Sequence, residues 1–169
     1  MLDPAKMPRI DHVNVPSAFY TVLIKPHLLA GMRHPWQGIP WTNLWFAGFS
    51  DIVCLVGSDS SYDPHPLEIL HRTDLEDLFT QDYPEDPEMQ ERLVREATKT
   101  TVRGLRSGKG IIIHCIGGTG RTGMVLGCTL KELGFAAEEV IDYLDRVNAA
   151  RGRGGWPESP WQAEMIRRY

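Results

Sequence analysis

Residues 111–123 read IIIHCIGGTGRTG, and their order predicts a strand, a loop and a helix. The three isoleucines form an uninterrupted apolar run, which is typical of a strand buried on both faces at the centre of a parallel sheet. The residues that follow are rich in glycine, which permits tight turns. Apolar residues then predict an interior helix over residues 122–133, ended by Gly134. A strand, loop and helix in this order indicate an α/β fold.

The rest of the chain predicts the same alternation. Asp86-Pro87-Glu88 is a strong helix start, because it supplies an N-cap acceptor, a proline at the first helical position and an acid facing the helix dipole. We expect one α/β domain over residues 21–169, with a central, mainly parallel sheet of four to five strands flanked by helices. Residues 1–20 are predicted to be an irregular segment or an edge strand. Further strands are expected over residues 51–56 and 67–70, and helices over residues 41–47, 87–107, 138–151 and 160–168.

Composition excludes several classes of protein. The chain has 169 residues, of which 42% are hydrophobic and 24% charged, and its net charge is -4. This acidic balance argues against a nucleic-acid partner, for which a basic surface is expected. No apolar run approaches the roughly 18 to 20 residues of a membrane span, and residues 1–16 lack the apolar core of a secretory signal. We therefore expect a cytoplasmic protein without a membrane partner, and we favour a monomer.

The cysteines indicate neither a disulfide framework nor a metal site. There are three, Cys54, Cys115 and Cys128, and their spacing matches no zinc motif. We expect no metal and no cofactor.

Two glycine patterns resemble nucleotide-binding motifs without meeting their requirements. Gly118-x-Gly120-x-x-Gly123 has the spacing of a dinucleotide-binding turn, but that fold needs an acid about twenty residues later at the end of a second strand. Residues 138–143 are predicted to be helical instead. The stretch 104–110, GLRSGKG, has one residue too few between its glycines for a P-loop, and it precedes a strand.

The chemistry of residues 115–121, which we call the Cys115 loop, points to attack on an anion. A loop between a strand end and a helix N-terminus directs several backbone N–H groups to one point, where the helix dipole also favours negative charge. Cysteines at helix N-termini have pKa values of roughly 3.5 to 7.5, so Cys115 is expected to be a nucleophilic thiolate at neutral pH. Arg121 supplies a planar guanidinium that binds two phosphate oxygens at once. Thr122 offers a hydroxyl that we expect to donate a hydrogen bond to Cys115.

The motif His-Cys-(x)5-Arg-Thr-Gly resembles the signature of the cysteine-dependent protein tyrosine and dual-specificity phosphatases. Residues 28–168 are similar to the small dual-specificity group, and the loop is similar to that of the kinase-associated phosphatases. The resemblance implies a metal-independent phosphatase with a strand–loop–helix active site and a phosphocysteine intermediate on Cys115. Its substrate would be a phosphorylated protein or a small phosphoester. The residues expected to bind the phosphate are Ile116, Gly117, Gly118, Thr119, Gly120 and Arg121.

The resemblance also implies an aspartate between the preceding strand and the long helix, which acts as general acid in the first step and then deprotonates the water that hydrolyses the phosphocysteine. Asp77 comes soonest after the strand and is our first candidate, whereas Asp82 is nearer to Cys115 in the sequence and is the second. Asp86 is expected to serve as the helix N-cap. Gln162 follows an Arg- and Gly-rich turn, as a water-positioning glutamine does in related phosphatases. A surface glutamine in the first turn of the last helix is the alternative.

Other classes of function remain as alternatives. A phosphatase of a non-protein phosphoester and a phosphate-binding module with little or no turnover share the same loop. A sulfurtransferase-like protein would need neither Thr122 nor an upstream acid.

Overall fold

The computed structural model describes residues 18–57 and 61–169. The predicted N-terminal segment thus lies almost wholly outside the described residues. The strands are β1 (Phe19–Leu23), β2 (Leu29–Met32), β3 (Phe49–Cys54), β4 (Glu68–Arg72) and β5 (Gly110–His114). The helices are α1 (Trp41–Phe46), α2 (Pro87–Arg106), α3 (Gly120–Glu132), α4 (Ala137–Ala150) and α5 (Pro160–Arg168).

The five strands form one sheet in the order β1-β2-β5-β3-β4. β2, β5, β3 and β4 run parallel, and β1 pairs with β2 in the antiparallel direction at the edge. β5 is the central strand, and its three isoleucines are fully buried. The prediction of a mainly parallel, four- to five-stranded sheet in a single α/β domain is confirmed. The division of the chain at residue 20 stays a prediction.

Helices cover both faces of the sheet, with α2, α3, α4 and α5 against one face and α1 against the other. α3 lies at the centre of the larger layer, where it packs against α2, α4 and α5. Every residue of α3 from Gly120 to Leu130 is buried, as the all-round apolar pattern predicted. This burial fixes α3 behind the C-terminal end of β5, where the Cys115 loop joins them.

Local signals in the sequence account for where the helices begin and end. Asp86 caps α2, because its carboxylate accepts a hydrogen bond of 2.9 Å from the backbone N–H of Met89. Gly48 and Gly134 follow α1 and α3 with φ values of +104° and +106°, the left-handed conformation that glycine adopts without steric cost. β3 begins at Phe49, two residues before the predicted start.

No helix among the described residues is long and apolar enough to span a membrane.

Candidate active site

The Cys115 loop encloses the Cys115 sulfur. Cys115 follows β5 directly and is 2% exposed. The backbone N–H of Gly118 donates a hydrogen bond of 3.2 Å to Cys115 Sγ. The loop therefore turns back over the sulfur, and at least one of its amides points inward.

The carbonyl groups of the loop are held on its outer side. The Gly118 carbonyl accepts hydrogen bonds from Tyr20 Oη at 2.9 Å and from Arg151 Nη1 at 3.2 Å. The Arg151 guanidinium also stacks over the Tyr20 ring, 3.8 Å from its centroid. These two buried side chains form a rigid support beneath the loop.

The other carbonyls of the loop are bound in the same way. Because the carbonyls of residues 115–120 are all engaged outside the ring, the opposite N–H groups are free to face its interior, where an anion would bind. The acceptors and donors are Cys115 with His114 Nδ1 (3.1 Å), Ile116 with the His34 amide (2.8 Å), Gly117 with Arg153 Nη2 (3.5 Å), Thr119 with the Gly123 amide (2.7 Å), and Gly120 with Trp156 Nε1 (3.3 Å).

Gly118 is required for the shape of the loop. Its φ is +72°, and a methyl group there would collide with the backbone of Met32 and Arg33. The end of β2 therefore lies directly against the loop.

His114 joins the loop to the layer around α1. Its Nδ1 lies 3.1 Å from the Cys115 carbonyl, and its Nε2 lies 2.6 Å from Tyr62 Oη. Since a carbonyl only accepts, Nδ1 carries the proton and Nε2 accepts from the tyrosine hydroxyl. Burial lowers the pKa of His114 from 6.5 to about 4, so the imidazole is neutral at neutral pH. His114 therefore orients the loop.

This lowered pKa predicts a pH-dependent stability. Unfolding restores the ordinary value, so below pH 6.5 the unfolded chain binds a proton that the folded protein excludes until about pH 4. The contribution of His114 to the free energy of unfolding is therefore constant above pH 6.5, and the folded state becomes less stable as the pH falls from 6.5 toward 4. At about 1.4 kcal/mol per pH unit, the loss reaches about 3 kcal/mol. Urea unfolding across this range checks it: the wild type should lose more stability than His114→Gln, and equal losses would contradict the account.

Arg121 lies at the first turn of α3 and is 5% exposed. Its Nη1 donates to the Leu75 carbonyl at 3.2 Å, and its Nη2 lies 3.0 Å from Asp77 Oδ2. The Asp77 side chain is 43% exposed, so it reaches the site from the surface. The structure thus brings Asp77 to the guanidinium.

Asp82 lies in the same loop but its side chain serves a turn. Its exposed carboxylate accepts a hydrogen bond from the Phe79 amide at 3.2 Å. The Asp82 carbonyl accepts from Ser159 Oγ at 2.7 Å, which ties this part of the loop to the start of α5. Among the described contacts, none joins the Asp82 carboxylate to the Cys115 loop.

Two predicted site residues differ from expectation. Thr122 Oγ1 is buried and makes no hydrogen bond within the described part of the chain, so the predicted bond to Cys115 is not formed. Gln162 is 0% exposed, so the alternative of a surface glutamine is wrong. Its Oε1 accepts from the amides of Glu158 and Ser159 in a capping box, and its Nε2 lies beside Gly120.

Two of the supporting residues, Tyr20 and Arg151, were not predicted from the sequence. Tyr20 lies at the start of the described chain, and nothing in its surroundings indicates that it reaches residue 118. Arg151 belongs to the Arg- and Gly-rich turn before Gln162. The same turn contains Trp156, which was expected either to wall the pocket or to pack in the core, and its indole N–H binds the Gly120 carbonyl. The burial of Arg151, which requires an acceptor for its guanidinium, is a property of the fold.

Residues 18–57 and 61–169 contain no group of three or more His, Cys, Asp or Glu side chains that could hold a metal ion.

Known structures share this fold. Tk-PTP in its active form has a TM-score of 0.62 at 22% identity, covering 88% of this chain and 94% of that one. The catalytic core of the PP-IP phosphatase SIW14 from S. cerevisiae has a TM-score of 0.60 at 17% identity, covering 83% and 80%. A kinase associated phosphatase, crystallised with serine in place of its catalytic cysteine, has a TM-score of 0.55 at 17% identity, covering 82% of each chain.

A family model matches most of the chain. It describes the phosphatase domain of the DSP-PTPase type in Swiss Army Knife proteins, and it matches residues 19–154. The match includes the whole sheet, the Cys115 loop and Asp77. The chain therefore belongs to this PTP-SAK family of cysteine-dependent phosphatases, and it is a phosphoric monoester hydrolase.

Proposed function

We propose that this phosphatase hydrolyses phosphorylated proteins through a phosphocysteine intermediate on Cys115. The observation that carries the proposal is the arrangement of the Cys115 loop, whose carbonyls are held outward around a buried sulfur. A ring of inward amides stabilises a phosphoryl group without a metal ion, because the donors are already oriented toward the developing charge.

In the first step, Cys115 Sγ attacks the phosphorus, and the bond between phosphorus and the leaving oxygen breaks. Residues 116–121 supply the amides that bind the phosphoryl oxygens, and the Arg121 guanidinium turns from Asp77 to those oxygens. Asp77 acts in its protonated form, released from the ion pair with Arg121. The carboxyl proton passes to the leaving oxygen, which departs as an alcohol or phenol.

In the second step, water attacks the phosphorus of the phosphocysteine and gives a proton to a carboxylate of the site, the P–S bond breaks, and the electron pair returns to sulfur. Thr122 is proposed to support the departing thiolate after rotation of its unpaired hydroxyl. Gln162, whose Nε2 lies beside the loop, is proposed to help position the water.

The side chains of the Cys115 loop also bear on the class of substrate. None of residues 116–120 is a lysine, which favours a protein phosphate over a highly charged phosphoinositide. The alternative is a small phosphoester such as an inositol phosphate, and the likeness to the PP-IP phosphatase SIW14 favours it. A cytoplasmic, monomeric protein without a cofactor remains part of the proposal.

A substrate panel separates these alternatives. Phosphate release by the wild type is measured on phosphotyrosine and phosphoserine peptides, soluble inositol phosphates and phosphoinositide vesicles, in the presence of a chelator. We expect the highest kcat/KM on a phosphopeptide. A higher kcat/KM on an inositol phosphate would favour the alternative, and loss of all activity with the chelator would overturn the metal-free mechanism.

The assignment of the general acid is tested by two matched substitutions in one loop. Asp77→Asn should lower kcat for an aryl phosphate by about 10²-fold and remove the basic limb of the pH–rate profile. Asp82→Asn should leave both unchanged, because its carboxylate caps a turn. If Asp82→Asn alone removes the basic limb, Asp77 is not the acid.

A further inference from the structure

A second carboxyl group reaches the Cys115 loop from the turn before α5. The Glu158 carboxylate lies against Gly120, the first residue of α3, and the Gly120 backbone amide lowers the pKa of Glu158. A methyl group on Gly120 would overlap Glu158 Oε2 and crowd Gln162 Nε2. Glu158 therefore lies against the ring, and it lies beyond residues 19–154 of the family match.

Gln162 is less free to act on water than Glu158. Its Oε1 accepts from the Glu158 amide at 2.9 Å and from the Ser159 amide at 3.4 Å. Only its Nε2 remains, and an amide nitrogen donates hydrogen bonds but accepts no proton. A carboxylate in the same turn does accept one.

Charged residues of the candidate site lie close enough to Glu158 to act on its carboxylate. Asp77 from the loop after β4, Arg121 from α3 and Arg153 from the preceding turn all act on its carboxylate, and Glu158 in turn acts on the Tyr20 hydroxyl. Burial raises the pKa of Glu158, and Asp77 acts in the same direction. The carboxylate is thus more basic than an exposed glutamate, which suits it to accept a proton.

We propose that Glu158, in place of the general acid Asp77, is the catalytic base of the hydrolysis step, which holds the attacking water and accepts its proton. The inference rests on the proposed phosphocysteine mechanism. As the water oxygen bonds to phosphorus, one water proton moves to the Glu158 carboxylate, the P–S bond breaks, and Cys115 regains its electron pair as thiolate. Inorganic phosphate leaves, and solvent returns the Glu158 proton to Asp77, which lost one in the first step.

The negative charge of Glu158 at this position should also weaken the binding of phosphate. In the free protein, the Glu158 carboxylate lies beside Gly120, so an incoming phosphate must approach a negative carboxylate closely. Like charges at contact distance disfavour each other. Removing the charge should therefore tighten the binding of phosphate while slowing turnover, two effects of opposite direction that a loss of structure would not produce together.

The experiment compares E158Q with E164Q, a matched change at a glutamate on the surface of α5 that pairs with Tyr83 and Arg168. With an aryl phosphate, E158Q should lower kcat roughly 10²-fold and release a burst of one phenol per active site, because phosphocysteine accumulates. Inorganic phosphate should inhibit E158Q at lower concentration than the wild type. E164Q should show neither change, and E158D, which keeps a carboxylate, should recover part of the rate.

Two results would overturn the inference: E158Q turning over without a burst at the wild-type rate, or E158Q binding phosphate no more tightly than the wild type. If E158Q is too unstable to assay, E158D decides by the burst alone: a smaller burst is expected, and turnover at the wild-type rate without a burst would overturn the inference. Failure of the underlying mechanism is distinguishable, because Cys115→Ser would then retain activity, whereas an inactive Cys115→Ser with unchanged E158Q counts against Glu158 alone.

Discussion

Replacing Cys115 with serine is expected to lower kcat for an aryl phosphate by at least about 10⁴-fold, the scale on which losing a nucleophile reduces turnover. A serine hydroxyl is not ionised at neutral pH and is a poor leaving group, so both steps fail. The fold should survive, because the loop is held by its carbonyls and not by the sulfur. The measurement is steady-state hydrolysis, with circular dichroism to establish that the variant is folded.

Cys128→Ala is the matched control. Cys128 is fully buried in α3, and burial raises its pKa to about 12, so it stays an unreactive thiol. This variant should lose some stability but retain its activity per folded molecule. An active Cys115→Ser, or an inactive but folded Cys128→Ala, would contradict the assignment of the nucleophile.

Arg121→Lys should lower kcat/KM by about 10³-fold, in the range found when an arginine that stabilises phosphoryl transfer is lost. The guanidinium divides its contacts, with Nη1 on the Leu75 carbonyl and Nη2 on Asp77, and Nε has no partner within the described residues. A planar group with one unused donor can turn and bind two phosphate oxygens together. A lysine ammonium offers one charged point and cannot span both.

Inhibition by inorganic phosphate provides the second readout, since Arg121→Lys should weaken it in parallel with kcat/KM. Arg146→Lys, at an exposed ion pair with Asp142 on α4, should change neither. If Arg121→Lys retains its full affinity for phosphate, Arg121 does not bind the substrate.

Much of the fold could be predicted because its signals are local. Asp86-Pro87 marked the start of α2, and the isoleucines before Cys115 marked the central strand. The early start of β3 was not predictable, because Phe49 is fixed by a distant partner: its ring packs edge-on against Phe19, with centroids 5.6 Å apart. A residue that completes a strand by packing against another strand carries no periodic signal of its own.

The candidate site was predictable only where one short segment contains it. Cys115 and Arg121 share a loop, so their spacing alone placed them together. Asp77 came from family order, and only the folded chain brings it to 3.0 Å from Arg121. Glu158 was missed in favour of Gln162 because both belong to one turn, and the capping box that occupies the glutamine depends on how α5 begins.

The most direct test is to identify the phosphorylated residue during turnover. Wild-type protein is mixed with an aryl phosphate, stopped in denaturant under conditions that preserve a P–S bond, and mapped by peptide mass spectrometry. The account predicts one phosphoryl group on the peptide that contains residues 115–121, located on the sulfur of Cys115. A phosphoryl group on any other residue would contradict it, and so would its absence from a quench of E158Q taken after the burst.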